Sequence, residues 1–264
     1  MEYAFVTGAT GLLGNNVVRA LLKRNIKVKA LVRSAEKARK QFGSLPVEWI
    51  EGDMLNVDAF SHALQGCDAL FHTAAYFRDS YKGGKHWQKL YDTNVTGTER
   101  LLQAAYAAGI RRAVHTSSIA VLKGNKDQVI DETMSRSEQE ADDYYLSKIL
   151  SEQKVQQFLA QHPDMFIAML LPGWMFGPGD IAQAHTADRE PFPHLFRVVE
   201  GRCALGLRRA RGDCPILGAE ASRHRVPRRL RGVALGELHR LPSSAVLVVR
   251  ARPDAATASS ADLA

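Results

Sequence analysis

Tyr144 and Lys148 stand four residues apart in Tyr144-Tyr145-Leu146-Ser147-Lys148. On a helix that spacing puts both side chains on one face. A nearby ammonium favours the phenolate and draws a tyrosine below its usual pKa of about 10. Such a phenol can give a proton to a carbonyl, or take one from an alcohol, near neutral pH. The lysine can also hold the ribose of a bound nucleotide. Tyr145 has the wrong spacing to Lys148 and is read as packing. Tyr-x-x-x-Lys is also an ordinary helix-surface pair, so it needs support from elsewhere. Thr116-Ser117-Ser118 follow an apolar run that reads as a strand. A hydroxyl at the carboxyl end of a parallel strand can hydrogen-bond a substrate oxygen and orient it. Serine also suits a plain turn there.

A second constellation lies at the start of the chain, in Gly8-Ala9-Thr10-Gly11-Leu12-Leu13-Gly14. It sits between a strand-like run and a helical one. There Gly8 allows a tight turn, Gly11 lets backbone approach a pyrophosphate, and Gly14 lets the helix pack closely. The free N–H groups and positive dipole end of the helix then face the phosphates. After the next strand a site selective for NAD would carry Asp or Glu for the ribose 2′-hydroxyl. This chain has Arg33-Ser34, with no acid from Lys27 to Ala35. Arg33 suits a 2′-phosphate, so NADP is the expected cofactor, with NAD as the alternative. Arg33 can also be a solvated residue ending a strand.

These residues need a frame that alternates strand and helix. Apolar periodicity predicts strands over Tyr3–Val6, Lys27–Val32, Val47–Ile50, Ala69–Ala74, Arg112–Thr116 and Phe166–Leu171. It predicts helices over Leu12–Arg24, Ala35–Gln41 (capped by Ser34), Val57–Leu64, Trp87–Ala108 (ended by Gly109) and Gln139–Gln161. The fold class is α/β, a Rossmann-type doubly wound parallel sheet with right-handed crossovers.

The net charge is +7, but it is unevenly spread. Residues 1–180 hold 21 Lys+Arg and 20 Asp+Glu, whereas 181–264 hold 14 and 8. Those 14 are all Arg, and the segment has no Lys, Asn or Tyr. Codons of Arg, Ala, Pro and Gly are GC-rich and those of the missing residues AT-rich. Residues 1–180 are therefore read as the dinucleotide-binding domain with its catalytic residues. Residues 181–264 are read as an atypical Arg/Ala-rich segment, translated in a shifted frame, standing in place of a substrate-binding region. Two other readings are a divergent substrate segment and a basic nucleic-acid-binding tail. No aromatics interleave the Arg runs, so a nucleic-acid partner is not expected. The only strand-like run in the segment is Ala245–Val249. Cys67, Cys203 and Cys214 lack metal spacing and read as free thiols; no metal site is expected. No run reaches the ~18 apolar residues of a membrane span. The N-terminus lacks a signal-peptide pattern, so the expected location is cytoplasmic.

Taken together, the motifs resemble the extended short-chain dehydrogenase/reductase family, in its dihydroflavonol-reductase-like and sugar-epimerase-like branch. The resemblance rests on Thr7–Gly14, Gly52-Asp53-Met54, Asp68–Ala75, Asn94–Thr98, Thr116–Ser118, Tyr144 to Lys148, and Pro172–Asp180. It implies that Ser118, Tyr144 and Lys148 are catalytic. It implies a cofactor cradle of Gly8, Thr10, Gly11, Leu12, Leu13 and Gly14. Asp53 and Met54 would meet the adenine, and Thr73, Ala74, Ala75 and Pro172 would line the nicotinamide end. Asn94 would be a buried amide holding the active-site helix, and the two long helices would pair in a homodimer. The resemblance stops near residue 180. His72 and His115 read as core strand histidines. The expected activity is NADP-dependent reduction of a small carbonyl substrate. The alternatives are a nucleotide-sugar epimerase or dehydratase, or a dinucleotide-binding protein without turnover.

Overall fold

The computed structural model describes residues 1–77, 83–125, 130, 134–173, 175 and 249–250. The strands are β1 (Tyr3–Thr7), β2 (Lys27–Val32), β3 (Val47–Glu51), β4 (Ala69–His72), β5 (Arg112–Thr116), β6 (Phe166–Leu170) and β7 (Val249–Arg250). They form one sheet in the order β3-β2-β1-β4-β5-β6-β7. The first six are parallel, and β7 pairs antiparallel with β6. The sheet is thus the expected doubly wound one. The seventh strand takes up the last residue of the Ala245–Val249 run.

Side chains alternate across the pleat and build two cores. Ala4, Val6, Val28, Ala30, Phe71 and Val114 pack with Val18, Leu21 and Phe42. These last three come from α1 (Leu12–Lys23) and α2 (Ala35–Phe42). Phe5, Leu31, Leu70, Ala113 and Ile167 point to the other face. There they meet Leu101, Leu102, Val155 and Phe158 of α4 (Gly97–Ala107) and α5 (Asp143–Gln161). Burial on both faces explains why the strands read as apolar runs rather than alternating ones.

Three elements differ from expectation. Residues 57–64 are not an α-helix but two 3-10 turns, Val57–Ala59 and Ser61–Leu64. Val57, Phe60, Ala63 and Leu64 are buried, and Phe60 N–H and Ala63 N–H donate to the carbonyls three residues back, Val57 O and Phe60 O, the bonding of a 3-10 helix. The long helix starting at Trp87 is interrupted. After α3 (Trp87–Leu90) it widens into a π turn over Tyr91–Thr96, then continues as α4. Gly109 ends it at φ 91°, and Ile110 N–H donates to Ala105 O, a Schellman closure. Finally, α5 begins at Asp143 rather than Gln139. Asp142 caps it by accepting from Tyr145 N–H at 2.8 Å, and Glu138–Glu140 form a separate 3-10 turn.

Candidate active site

The sheet order reverses between β1 and β4, the crevice where doubly wound folds bind ligands. The glycine turn opens on it. Gly8 has φ 69°, and a Cβ there would lie 2.6 Å from Ala74 N. A Cβ on Gly14 would run into the Gly8 carbonyl and sit 2.8 Å from Thr73 Oγ1. Its smallness thus serves the turn and the β4 end more than the sheet. Around Gly11 only Gly8 O comes near, at 3.3 Å, and Thr10 and Gly11 are exposed. No side chain caps α1 at Gly11, so the N–H groups of its first turn, at Leu12 and Leu13, remain for an anion. The cradle therefore fits a pyrophosphate.

Arg33 is exposed just beyond β2. Ser34 caps α2 by accepting from Lys37 N–H, and Ala35 N–H donates to Glu51 Oε1 at 2.6 Å. Asp53 is exposed beyond β3, whereas Met54 packs into the core. β4 stops at His72, short of the expected Ala74, because the chain turns off to meet β1. Ala74 N–H donates to Thr7 Oγ1 at 3.3 Å, and Thr73 Oγ1 donates to Thr7 O at 2.7 Å. Pro172 is buried, and its carbonyl accepts from Ile119 N–H at 3.1 Å. That bond ties the segment after β6 to the Ser118 turn.

Ser118 follows β5 and caps a 3-10 turn, accepting from Ala120 N–H at 3.1 Å. Lys148 lies on α5, one turn after Tyr144, and is buried. Its Nζ donates to Thr116 O at 3.0 Å, at the end of the strand that leads into Ser118. Burial draws the Lys148 pKa down to about 8, while Glu152, one turn further on, works the other way. The polar α5 residues buried here are Ser147, Lys148, Ser151 and Glu152, of which Lys148 and Ser151 meet β5 at Thr116 and His115. This polar stripe has helical spacing.

Tyr144 is half-buried. Its ring packs 4.7 Å from that of Phe77, which is exposed. Sequence reading passed over Phe77; its signal was an aromatic a few residues past the β4 end. Tyr145 packs as expected, with the Arg136 guanidinium 4.9 Å over its ring.

Asn94 is buried in the π turn. It accepts from Tyr76 N–H at 2.8 Å and donates to Ser147 Oγ at 3.0 Å. His72 and His115 are buried with ring centroids 5.2 Å apart. Burial draws His72 down to about 3 and His115 well below its ordinary value. Burial likewise pushes the Cys67 thiol up to about 11, so it is inert; Cys203 and Cys214 lie outside the described residues. Among the described residues no His, Cys, Asp and Glu cluster could hold a metal ion. No helix there is long and apolar enough to cross a membrane. The composition change at residue 181, with its frameshift reading, falls outside the described residues apart from 249–250.

Comparison with known proteins agrees with this geometry. Residues 4–223 match the model of the NAD dependent epimerase/dehydratase family, running past the composition change. The chain is 37% identical to the "Putative dihydroflavonol 4-reductase" of Synechocystis, over 82% of this chain and 67% of that protein. It is 39% identical to sterol demethylase protein B of Methylococcus capsulatus, over 76% and 63%. It superposes on the yeast methylglyoxal/isovaleraldehyde reductase Gre2, solved with NADPH. The TM-score is 0.59 at 26% identity, covering 67% of this chain and 59% of that one. The chain spans about half to two thirds of the length of the curated relatives it matches. The glycine turn, the parallel sheet and these matches together make the chain a member of the NAD dependent epimerase/dehydratase family, whose enzymes depend on NAD or NADP.

Proposed function

We propose that this protein is an NADP-dependent reductase of a carbonyl on a small organic substrate, with Ser118, Tyr144 and Lys148 as its reacting-site residues. One observation carries the reading. Lys148 is buried and bonded to the end of β5, one helical turn from Tyr144 and two residues from Ser118 along that strand exit. The likeness to reductases, one of them solved with NADPH, supports it.

When bound, the reduced nicotinamide supplies the hydride. The Gly8, Thr10, Gly11, Leu12, Leu13 and Gly14 backbone holds the pyrophosphate, and Arg33 the 2′-phosphate. Asp53 and Met54 border the adenine, and Thr73, Ala74, Ala75 and Pro172 the nicotinamide end. Ser118 donates a hydrogen bond to the substrate oxygen. Tyr144 gives that oxygen its phenolic proton, and the Lys148 ammonium stabilises the phenolate left behind. Phe77 offers an apolar wall beside Tyr144, which suits a substrate with an apolar part. Residues 1–180 form the domain that does this. The protein acts in the cytoplasm, as a homodimer paired through α4 and α5.

Tyr144→Phe is expected to lower NADPH-dependent carbonyl turnover by about 10²–10⁴-fold, with NADPH affinity within twofold of wild type. Turnover left unchanged would exclude the mechanism. Arg33→Ala is expected to weaken NADPH about tenfold and to leave NADH unaffected, read by fluorescence titration. The family description favours one second reading, a nucleotide-sugar epimerase or dehydratase. Its cofactor would cycle within a turnover, so net NADPH consumption separates the two.

A further inference from the structure

Beneath the cleft one hydrogen-bond chain runs from the cofactor cradle to α5, and its direction follows from the donors available. Thr98 Oγ1 lies 2.7 Å from Asn94 O. A carbonyl only accepts, so the single Thr98 hydroxyl proton is used there. His72 Nε2, 2.9 Å from Thr98 Oγ1, must then be the donor. The ring is buried and neutral, so Nδ1 carries no proton and accepts from Thr7 Oγ1 at 2.7 Å. Thr7 Oγ1 in turn accepts from Ala74 N–H. At the far end, Asn94 donates to Ser147 Oγ, and Ser147 Oγ donates to Tyr144 O at 2.7 Å. Each link has one allowed polarity.

We infer that His72 is a positioning residue for the Tyr144 site, held as the neutral Nε2–H tautomer and coupling the β1–β4 cradle to α5 through Thr98, Asn94 and Ser147. It touches neither the substrate nor the cofactor. Its two nitrogens fix the β1 end on one side and the π-turn carbonyl on the other. The Asn94 amide is thereby set at the height where it holds Ser147 and the Tyr144 backbone. The inference rests on Tyr144 being the proton donor.

The test uses the full chain. In ¹⁵N-histidine-labelled protein, two-bond ¹H–¹⁵N correlations should show His72 as the neutral Nε2–H tautomer from pH 5 to 9. An Nδ1–H tautomer, or a charged ring at pH 6, overturns the inference and needs no turnover to be seen. Thr98→Val removes the link between His72 and Asn94. It should lower kcat about tenfold with the NADPH Kd within twofold of wild type. Thr98→Ser keeps the hydroxyl while losing the methyl, and should restore kcat to within twofold despite a lower Tm. A purely structural role predicts that kcat follows Tm instead, with Thr98→Ser as impaired as its stability; that result overturns the inference. Should Thr98→Val not fold, Thr98→Ser and the tautomer still decide. Should wild type bind NADPH yet turn over no carbonyl, the proposed function fails while the tautomer measurement still tests His72.

Discussion

At the β1–α1 turn the protein approaches its ligand with bare backbone, whereas at α5 it does so with buried side chains. The turn is exposed at Thr10 and Gly11, and Gly8 and Gly14 are required by the positions of neighbouring backbone and Thr73 atoms. The α5 flank buries Ser147, Lys148, Ser151 and Glu152, with Lys148 and Ser151 against the end of β5. A backbone cradle fails by steric collision and takes stability with it. A buried polar stripe costs stability when intact, because desolvating an ammonium is unfavourable. Removing its charge should therefore separate activity from stability, whereas altering the cradle should move both together.

Lys148→Met breaks the comparison most sharply. It is expected to cut kcat by about 10²–10⁴-fold while lowering the Tm far less than a cradle substitution does, because relief of the ammonium's desolvation offsets the donor lost to Thr116 O and the charge lost beside Glu152. Steady-state kinetics beside a thermal melt check both halves, and a large drop in Tm would contradict the second. Gly14→Ala comes next. The added methyl meets the Gly8 carbonyl, and a loss of about 3 kcal/mol or more is expected in urea melts, together with loss of NADPH binding.

The third effect is on pH dependence. The folded pKa of His72, about 3, lies below the ordinary 6.5, and that of His115 is lowered in the same direction. Below pH 6.5 the unfolded chain therefore binds protons that the folded one refuses. Stability from His72 is present above 6.5 and is lost as pH falls toward 3, and His115 acts in the same direction. For His72 the slope is up to about 1.4 kcal/mol per pH unit. Urea melts between pH 7 and 5 read it, and a flat profile would show that the rings accept protons in place.

The cradle was legible in the sequence because glycine carries its meaning in isolation; three glycines after a strand-like run had few other readings. The sheet was legible because strands buried on both sides are apolar throughout. On α5, the Tyr144–Lys148 spacing located the working face but not the buried polar residues beside it. Ser147, Ser151 and Glu152 carry no signal in the sequence, although the fold buries all three, Ser147 against Asn94 and Ser151 against His115. Thr7 and Thr98 were equally silent. A threonine's value here lies in having one proton to give and a fixed partner to receive it, and that depends on residues far away in the chain. The 57–64 segment was misread because apolar residues three apart satisfy a short helix of either pitch. The bonds from Phe60 N–H to Val57 O and from Ala63 N–H to Phe60 O set the tighter one.

The π turn at Tyr91–Thr96 has a consequence for insertions and deletions. A π turn holds one residue more than an α-helix closes over, so α3 and α4 are out of phase by about 100° about their common axis. Deleting any one residue of the turn would yield a straighter, more regular helix, and would swing Asn94 off the side that meets Tyr76 and Ser147. At this point in the chain, length is as constrained as residue identity: substitutions that keep the count are tolerated far better than a single lost codon.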